Sequence, residues 1–149
     1  MIPLTTRSHY SLMWGTASVK ALCRHARRLG YDRLALTDTD NLCGLWPFMS
    51  ACRREGIIPI IGAEVTDPQN GRRAVCLAKN AAGYRDLCRL LTHRHMDAGF
   101  DLATALPGLA GDMVILTASA DLLKQWHRNG LHLAAAMART LLPALTLIH

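Results

Sequence analysis

The sequence predicts an α/β fold with a mainly parallel sheet, and three observations indicate it. Apolar runs of about four to eight residues recur along the chain, as in buried strands. Between these runs, apolar residues recur at helical spacing. Several runs end on polar or acidic residues, at the position where folds of this class place their sites. With 149 residues, 50% of them hydrophobic, the chain has enough apolar side chains for one domain with a core.

Capping and burial patterns predict the first three elements. Residues 4–6 are a candidate short strand. Ser18 is expected to cap a helix that ends at Gly30, because a serine side chain can accept a hydrogen bond from a free amide of the first turn. The run 33–38 then predicts a buried strand that ends on Asp38.

The alternation of helices and strands continues along the rest of the chain. The next helix has Pro47 near its first turn and Gly56 as its stop, and both residue types are typical of those positions. Residues 57–65 predict a strand, and residues 67–71 predict a turn. The remaining predicted elements are a strand at 74–77, a helix that Asn80 caps, a polar and glycine-containing connection at 93–112, a strand at 113–116, helices at about 120–126 and 131–142, and an apolar run at 145–148.

The charge balance is positive and is carried mostly by arginine. The chain has 17 Lys and Arg residues against 11 Asp and Glu residues, which gives a formal net charge of +6. The cations are spread along the chain and form no tail. Two interpretations stay open: a solvated arginine-rich surface, or a basic surface that contacts DNA with a salt-dependent affinity.

The sequence predicts no membrane span and a cytoplasmic location. The most apolar stretch, 131–148, is interrupted by His132, Arg139 and Pro143. The N-terminus lacks the basic start and apolar centre of a secretory signal. The five cysteines include no C-x-x-C pair, so we expect reduced core residues and neither disulfides nor a zinc site.

Four segments carry the functional signal: 8–12 (SHYSL), 34–44 (LALTDTDNLCG), 58–65 (IPIIGAEV) and 77–87 (LAKNAAGYRDL). Together they resemble the polymerase and histidinol phosphatase (PHP) domain at the N-terminus of bacterial DNA polymerase III alpha subunits and their error-prone relatives. The resemblance implies a distorted (β/α)7 barrel that is longer than this chain. Residues 1–149 are therefore expected to form a single, incomplete or truncated PHP-like barrel that lacks its C-terminal part.

The resemblance also implies a metal site, because active members hold two or three metal ions in a cluster of His, Asp and Glu that hydrolyses phosphoesters. The family's metal positions fall on a mixture of kept and replaced residues: the opening His-x-His on Thr5 and Arg7, the Asp-His pair on Asp38 and Thr39, the Glu on Glu64, and the His of the next strand on Arg73. With so few ligands left, we expect a vestigial site without a catalytic residue, metal or other cofactor.

Two lost ligands are replaced by arginine, which suggests how the remaining carboxylates are neutralised. Without a cation, Asp38 and Glu64 would repel one another in a partly desolvated pocket, and a guanidinium could neutralise them with paired hydrogen bonds. We therefore predict that Arg7 and Arg73 pair with Asp38 or Glu64.

The leading hypothesis is a metal-free structural element of a C-family DNA polymerase, packed against the remainder of that polymerase in replication or error-prone synthesis. A second hypothesis is a stand-alone PHP phosphoesterase or 3′–5′ exonuclease, in which Asp38, Glu64 and His9 hold Mn, Zn or Mg. A third is a non-catalytic interaction module for a polymerase partner, which requires an exposed apolar patch.

Two weaker signals favour ordinary structural roles. His93, His95 and Asp97 imitate a metal spacing but are expected to form a solvated helix end. Ser8 and Ser11 lie beside His9, yet no orienting acid or oxyanion element is evident, so a nucleophile is not expected there.

Overall fold

A mixed β-sheet forms the centre of the computed structural model, which describes residues 2–128 and the backbone of residues 134–135. The strands lie in sequence order: β1 (Arg33–Thr39), β2 (Ile58–Thr66), β3 (Arg73–Ala78), β4 (Met113–Thr117) and the two-residue β5 (Ala134–Ala135). The pairs β1–β2 and β4–β5 are parallel, but β3 is antiparallel to both of its neighbours. The predicted α/β class is confirmed, whereas the mainly parallel sheet is wrong because the turn after Thr66 folds β3 back onto β2.

The helices begin and end close to the predicted residues. Ser18 Oγ accepts from Ala21 N at 3.2 Å, and Asn80 Oδ1 accepts from Ala82 N at 2.8 Å. Gly56 ends its helix with φ 67°, a left-handed conformation that favours glycine. The helices are α1 (Val19–Arg28), α2 (Leu45–Glu55), α3 (Ala81–Met96), α4 (Leu102–Ala105) and α5 (Ala120–Arg128), with a 3-10 turn at Pro107–Leu109.

The candidate strand at residues 4–6 is not a strand, although this segment lies along β1. Ala35 N donates to Pro3 O at 3.0 Å, and Thr37 N donates to Thr6 O at 2.8 Å. The amide of Thr6, however, donates to the Thr37 hydroxyl at 3.0 Å, and proline has no amide to donate. The backbone hydrogen-bond ladder between residues 3–6 and β1 is therefore incomplete, because Pro3 and Thr6 accept backbone hydrogen bonds from β1 but donate none to its backbone.

Two other predictions differ from the structure. Within the connection at 93–112, α3 continues to Met96, and Phe100, Leu102 and Leu106 enter the core with α4 and the 3-10 turn. Of the helix predicted at 131–142, the described part forms β5, where pairing with β4 overrides helix propensity. The rest of that prediction and the apolar run at 145–148 lie outside the described residues.

Most of the cysteines lie in the core, as predicted, but not all of them do. Cys23, Cys52 and Cys76 are buried and Cys88 is half-buried, whereas Cys43 is exposed. The prediction of five core cysteines is therefore wrong for Cys43. As to membranes, no helix found in residues 2–128 combines the length and apolarity that crossing a bilayer requires.

Strand alternation divides the core between two faces of the sheet. On the outer face, Leu34 and Leu36 pack with α1 and α2, while Ala63 and Val65 pack with α3 to α5. The inner face carries a smaller apolar cluster of Ala35, Leu77 and Leu116, with Ile60 and Val75 packed against it. This division determines where each polar side chain at the strand ends lies.

The β2–β3 turn is held by the buried carboxylate of Asp67. Its oxygens accept from Gln69 N at 2.9 Å, Asn70 Nδ2 at 3.0 Å and Arg72 Nη2 at 3.2 Å, and from Leu102 N at 3.3 Å. Burial alone raises the pKa of a carboxyl, but here the hydrogen bonds from two backbone amides and from the Asn70 and Arg72 side chains outweigh burial, so the pKa of Asp67 is below its ordinary value.

This lowered pKa makes part of the stability depend on pH. A carboxyl with a depressed folded-state pKa stabilises the fold fully above its unfolded pKa of about 3.9 and loses that contribution as the pH falls through the folded pKa. We expect the difference in urea midpoint between the wild type and Asp67→Asn to shrink as the pH falls from about 6 to about 3. The exposed Asp32→Asn is the control. An Asp67→Asn effect of equal size at both pH values would contradict this linkage.

Candidate functional site

The candidate site lies at one edge of the sheet, where β1 and β2 end and β3 begins. Because β3 is antiparallel to β2, its first residue, Arg73, pairs with Thr66 near the end of β2. Thr117 at the end of β4 reaches the same edge, where its hydroxyl donates to Arg73 O at 2.7 Å. The N-terminal loop 7–15 covers this edge and supplies most of the partners described below.

The two retained carboxylates do not share a pocket. In the register of β1 and β2, Thr39 is opposite Glu64, whereas Asp38 is opposite Ala63. Neighbouring residues of a strand project to opposite faces, so Thr39 and Glu64 lie on the inner face and Asp38 on the outer face. The expectation that Asp38 and Glu64 repel one another in one pocket is therefore wrong.

Asp38 is buried and accepts its hydrogen bonds from the N-terminal loop. Ser8 N donates to Oδ1 at 2.7 Å, Ser8 Oγ donates to Oδ2 at 2.8 Å, and Ser11 Oγ donates to Oδ1 at 2.7 Å. Ser11 Oγ also accepts from Thr39 N at 2.9 Å. Both serines are fully buried, and no cation pairs with Asp38 among the described residues.

The backbone of Gly15 approaches the backbone of Ser8 closely within the loop, and this close approach helps the loop to hold both serines. A Cβ at Gly15 would lie 1.9 Å from the carbonyl oxygen of Ser8, so any larger residue would push the two backbone segments apart. The sequence offers Ser8 and Ser11 only as candidate nucleophiles, a role that was not expected, and does not indicate that they bind Asp38. The available signal is a pair of serines three residues apart that precedes the predicted buried strand ending on Asp38.

Glu64 is the centre of an ion-pair cluster on the inner face. Its side chain is only 4% exposed, and Arg7 reaches Oε2 through Nε at 2.6 Å and Nη2 at 2.5 Å. Arg73 Nη1 lies 3.6 Å from Oε1, and Thr39 Oγ1 donates to Oε2 at 3.3 Å. The predicted pairing of Arg7 and Arg73 is thus confirmed for Glu64 and is not found for Asp38.

Trp14 covers this cluster from the loop side. The Cζ atom of Arg73 lies 4.6 Å from the centre of the Trp14 ring, and that of Arg7 lies 5.5 Å away. A guanidinium over an indole face gains cation–π stabilisation. The indole therefore holds both arginines in position over Glu64, although Trp14 itself stays exposed.

The other residues predicted for the site lie apart from these two networks. Thr5 is exposed, and His9 is exposed with its ring 4.3 Å from that of Tyr10. His93 and His95 are exposed, as expected of a helix end; His93 Nε2 lies 3.1 Å from Asp97 Oδ2, and His95 Nε2 lies 2.6 Å from Asp40 O. Across the described ranges, no group of three or more His, Cys, Asp and Glu side chains comes together as a metal site would require.

Asp40 forms a third network that sequence reasoning missed. It has φ 55°, an uncommon conformation for a residue with a side chain. Its carboxylate accepts from Thr66 N at 2.8 Å, Thr66 Oγ1 at 2.5 Å and Arg94 Nη2 at 3.3 Å. Arg94 thereby ties the end of α3 to the ends of β1 and β2.

Comparisons with known proteins agree on one family. The family model of the PHP domain matches residues 3–138. The error-prone DNA polymerase of Pseudomonas fluorescens is 37% identical over 110 residues, which cover 68% of this chain and 10% of that protein. The DNA polymerase III subunit alpha of Treponema pallidum is 38% identical over 109 residues, covering 64% of this chain and 9% of that protein. The chain thus spans about a tenth of the length of these relatives.

Two solved structures resemble the structure of this chain. An amidohydrolase from Chromobacterium violaceum, with bound sulfate and no metal, superposes with a TM-score of 0.51 and 28% identity over 61% of this chain and 32% of that one. A protein assigned as a metal-dependent phosphoesterase from Bifidobacterium adolescentis superposes with a TM-score of 0.58 over 90% of this chain and 75% of that one. Its identity of 15% supports a shared fold alone.

Proposed function

The chain belongs to the PHP domain family, and from this membership we propose that it is a metal-free structural domain of a C-family DNA polymerase in the cytoplasm. The observation that carries the proposal is the cluster around Glu64. Arg7 and Arg73, at positions where the resemblance implies histidine ligands, pair with Glu64 themselves. A guanidinium is permanently charged and has no lone pair to offer a metal.

The donor set does not fit the two- or three-metal centre of active members. Such a centre needs several neutral imidazoles and free carboxylate oxygens to hold the ions and activate water. Here the oxygens of Glu64 accept from Arg7 and Thr39, and those of Asp38 accept from two serines. We therefore derive no hydrolytic step for this domain, and within residues 2–128 the phosphoesterase or exonuclease hypothesis has no ligand set in its favour.

A second observation favours the related role of an interaction module. Leu12 is 81% exposed, Met13 is 100% exposed, and Trp46 at the start of α2 is 83% exposed. They lie at the site edge with Trp14, because Asn41 Nδ2 donates to Tyr10 O and so brings the loop close to the start of α2. Tryptophan beside arginine is typical of protein interfaces. We call Leu12, Met13, Trp14 and Trp46 the apolar rim, and we propose that it packs against the remainder of the polymerase.

Metal content is the measurement that tests the proposal. The purified chain is incubated with Mn²⁺ or Zn²⁺, desalted, and analysed for bound metal by elemental analysis. We expect much less than about one equivalent to be retained, because the carboxylates already have hydrogen-bond donors and cations.

The control variants separate a site from adventitious binding. Retention of about one or more equivalents that is lost in Asp38→Ala or Glu64→Gln, but kept in the exposed Asp32→Ala, would overturn the proposal. Assays on phosphoesters and DNA ends would then be justified. Metal that is retained equally by all these variants lies elsewhere and leaves the proposal intact.

A further inference from the structure

The Lys and Arg residues of α1 and α2 differ from those around the site in having no carboxylate partner. Arg7, Arg72, Arg73 and Arg94 each lie within 4 Å of a carboxylate. Within residues 2–128, no such ion pair is formed by the exposed cations of α1 and α2, which we call the basic face: Lys20, Arg24, Arg27, Arg28, Arg53 and Arg54.

These cations belong to one surface because α1 and α2 are neighbours. The buried thiols of Cys23 on α1 and Cys52 on α2 are 3.7 Å apart. Both helices begin near the site edge and return to the opposite edge, where β1 and β2 start. Their last turns, with Arg27, Arg28 and Arg53, therefore lie at the same end of the molecule, away from the apolar rim.

Helix stability alone does not explain the basic face. A cation in the last turn of a helix interacts favourably with the helix dipole, and this accounts for Arg27 and Arg28. Lys20, however, lies in the first turn of α1, where a positive charge is unfavourable, and α1 contains no acidic residue at all. The charge of Lys20 is therefore balanced neither by the helix dipole nor by an ion pair among the described residues.

The side chains of the basic face favour one class of partner. Exposed arginines and lysines that form no ion pair attract phosphate groups, and Glu55 is the one acidic residue in α1 and α2. Binding of single strands also uses exposed aromatic side chains on which bases stack, and the exposed Trp46 lies at the start of α2, away from the last turns of the two helices. Binding to a membrane surface needs several apolar side chains, whereas the described residues place two exposed large apolar side chains at this end, Leu29 and Ile58.

We propose that the basic face binds the phosphate backbone of duplex DNA without sequence preference. This inference rests on the proposed function in one respect: DNA is the partner because the relatives are DNA polymerases. The charges and their placement are independent of that function. The last turns of α1 and α2, with Arg27, Arg28 and Arg53, lie at the opposite end from the apolar rim, so the domain can contact DNA there and a polymerase body at the rim at the same time.

The test compares two triple variants that remove the same charge from different surfaces. R24Q/R27Q/R28Q removes three cations from α1, and R85Q/K124Q/R128Q removes three exposed cations from α3 and α5. Binding of the full chain to a fluorescein-labelled duplex of about 20 base pairs is followed by anisotropy at several KCl concentrations. We expect the α1 variant to bind about 10- to 100-fold more weakly, with a log K against log salt slope shallower by about 2 to 3. The control variant should stay within about twofold of wild type.

Each other outcome overturns the inference. If both variants lose the same affinity for the duplex, binding depends on net charge and not on the basic face. If the chain shows no salt-dependent binding to the duplex, duplex DNA is not its partner. Tighter binding of a single strand of equal length, or of phosphatidylserine vesicles, would assign the face to those ligands instead. Metal retention at Asp38 would overturn the proposed function but would leave this DNA result unchanged, so the two failures are distinguishable.

Discussion

Replacing Asp38 with alanine is expected to lower the free energy of unfolding by about 3 kcal/mol, a large share of the stability of a small domain. The carboxylate accepts from Ser8 N, Ser8 Oγ and Ser11 Oγ, and all three donors are buried. Alanine leaves these donors without a partner, and each unsatisfied buried group costs about 1 to 3 kcal/mol before the loop relaxes. The loss should be larger than that caused by Ser11→Ala, which removes a single hydroxyl.

Urea unfolding monitored by circular dichroism measures this effect. The matched control is Asp32→Ala, which removes an exposed carboxylate whose nearest cation, Arg33, is 3.9 Å away. Its stability should change by no more than about 0.5 kcal/mol. If Asp38→Ala and Asp32→Ala unfold at the same urea concentration, the serine network does not stabilise the loop and this account of Asp38 is wrong.

Removing the partner of Glu64 is expected to have the second largest effect. Arg7→Met keeps the long aliphatic stem but leaves the buried Glu64 carboxylate with Arg73 at 3.6 Å as its nearest cation. Breaking a buried ion pair costs about 3 to 5 kcal/mol, and because the Arg7 side chain is 35% exposed we expect about 2 kcal/mol. Emission from Trp14 should also change, since the indole lies over both guanidiniums.

A double-mutant cycle isolates the interaction of the pair. In Glu64→Gln the charge is already absent, so Arg7→Met should cost much less there, which gives a coupling energy of about 1 to 2 kcal/mol. The exposed pair Arg89–Asp86, with Arg89 70% exposed, serves as the matched control and should give about 0.5 kcal/mol or less. Equal coupling energies for the two pairs would show that Glu64 gains nothing from its buried position.

The sequence predicted the parts of the fold that local chemistry determines. Ser18, Asn80 and Gly56 mark helix ends because capping depends on one side chain or one backbone conformation. The direction of β3 was not predicted, because an apolar run has the same pattern in a parallel and an antiparallel strand. Yet this direction brings Arg73 to the edge where Glu64 lies.

The sequence predicted which residues lie at the site but not how they are arranged in space. The pairing of Arg7 with Glu64 was predicted because an arginine at a lost metal-ligand position is complementary in charge to a retained carboxylate. The resemblance implies one metal cluster that contains both Asp38 and Glu64, each near the end of a strand. That implication does not take account of the strand register, in which an offset of one residue moves a side chain to the opposite face. Ser8 and Ser11 were missed as partners of Asp38 because hydroxyl donors have no charge signature in a sequence.

The long separations within the site constrain the order in which the chain folds. Ser8 and Asp38 are 30 residues apart, and Arg7 and Glu64 are 57 residues apart. Closing such loops costs conformational entropy before any contact compensates for it, so we expect β1 and β2, which are closer in sequence, to pair before Arg7 contacts Glu64. We therefore expect the N-terminal loop, although it is synthesised before β1 and β2, to be among the last of the described segments to acquire its native contacts.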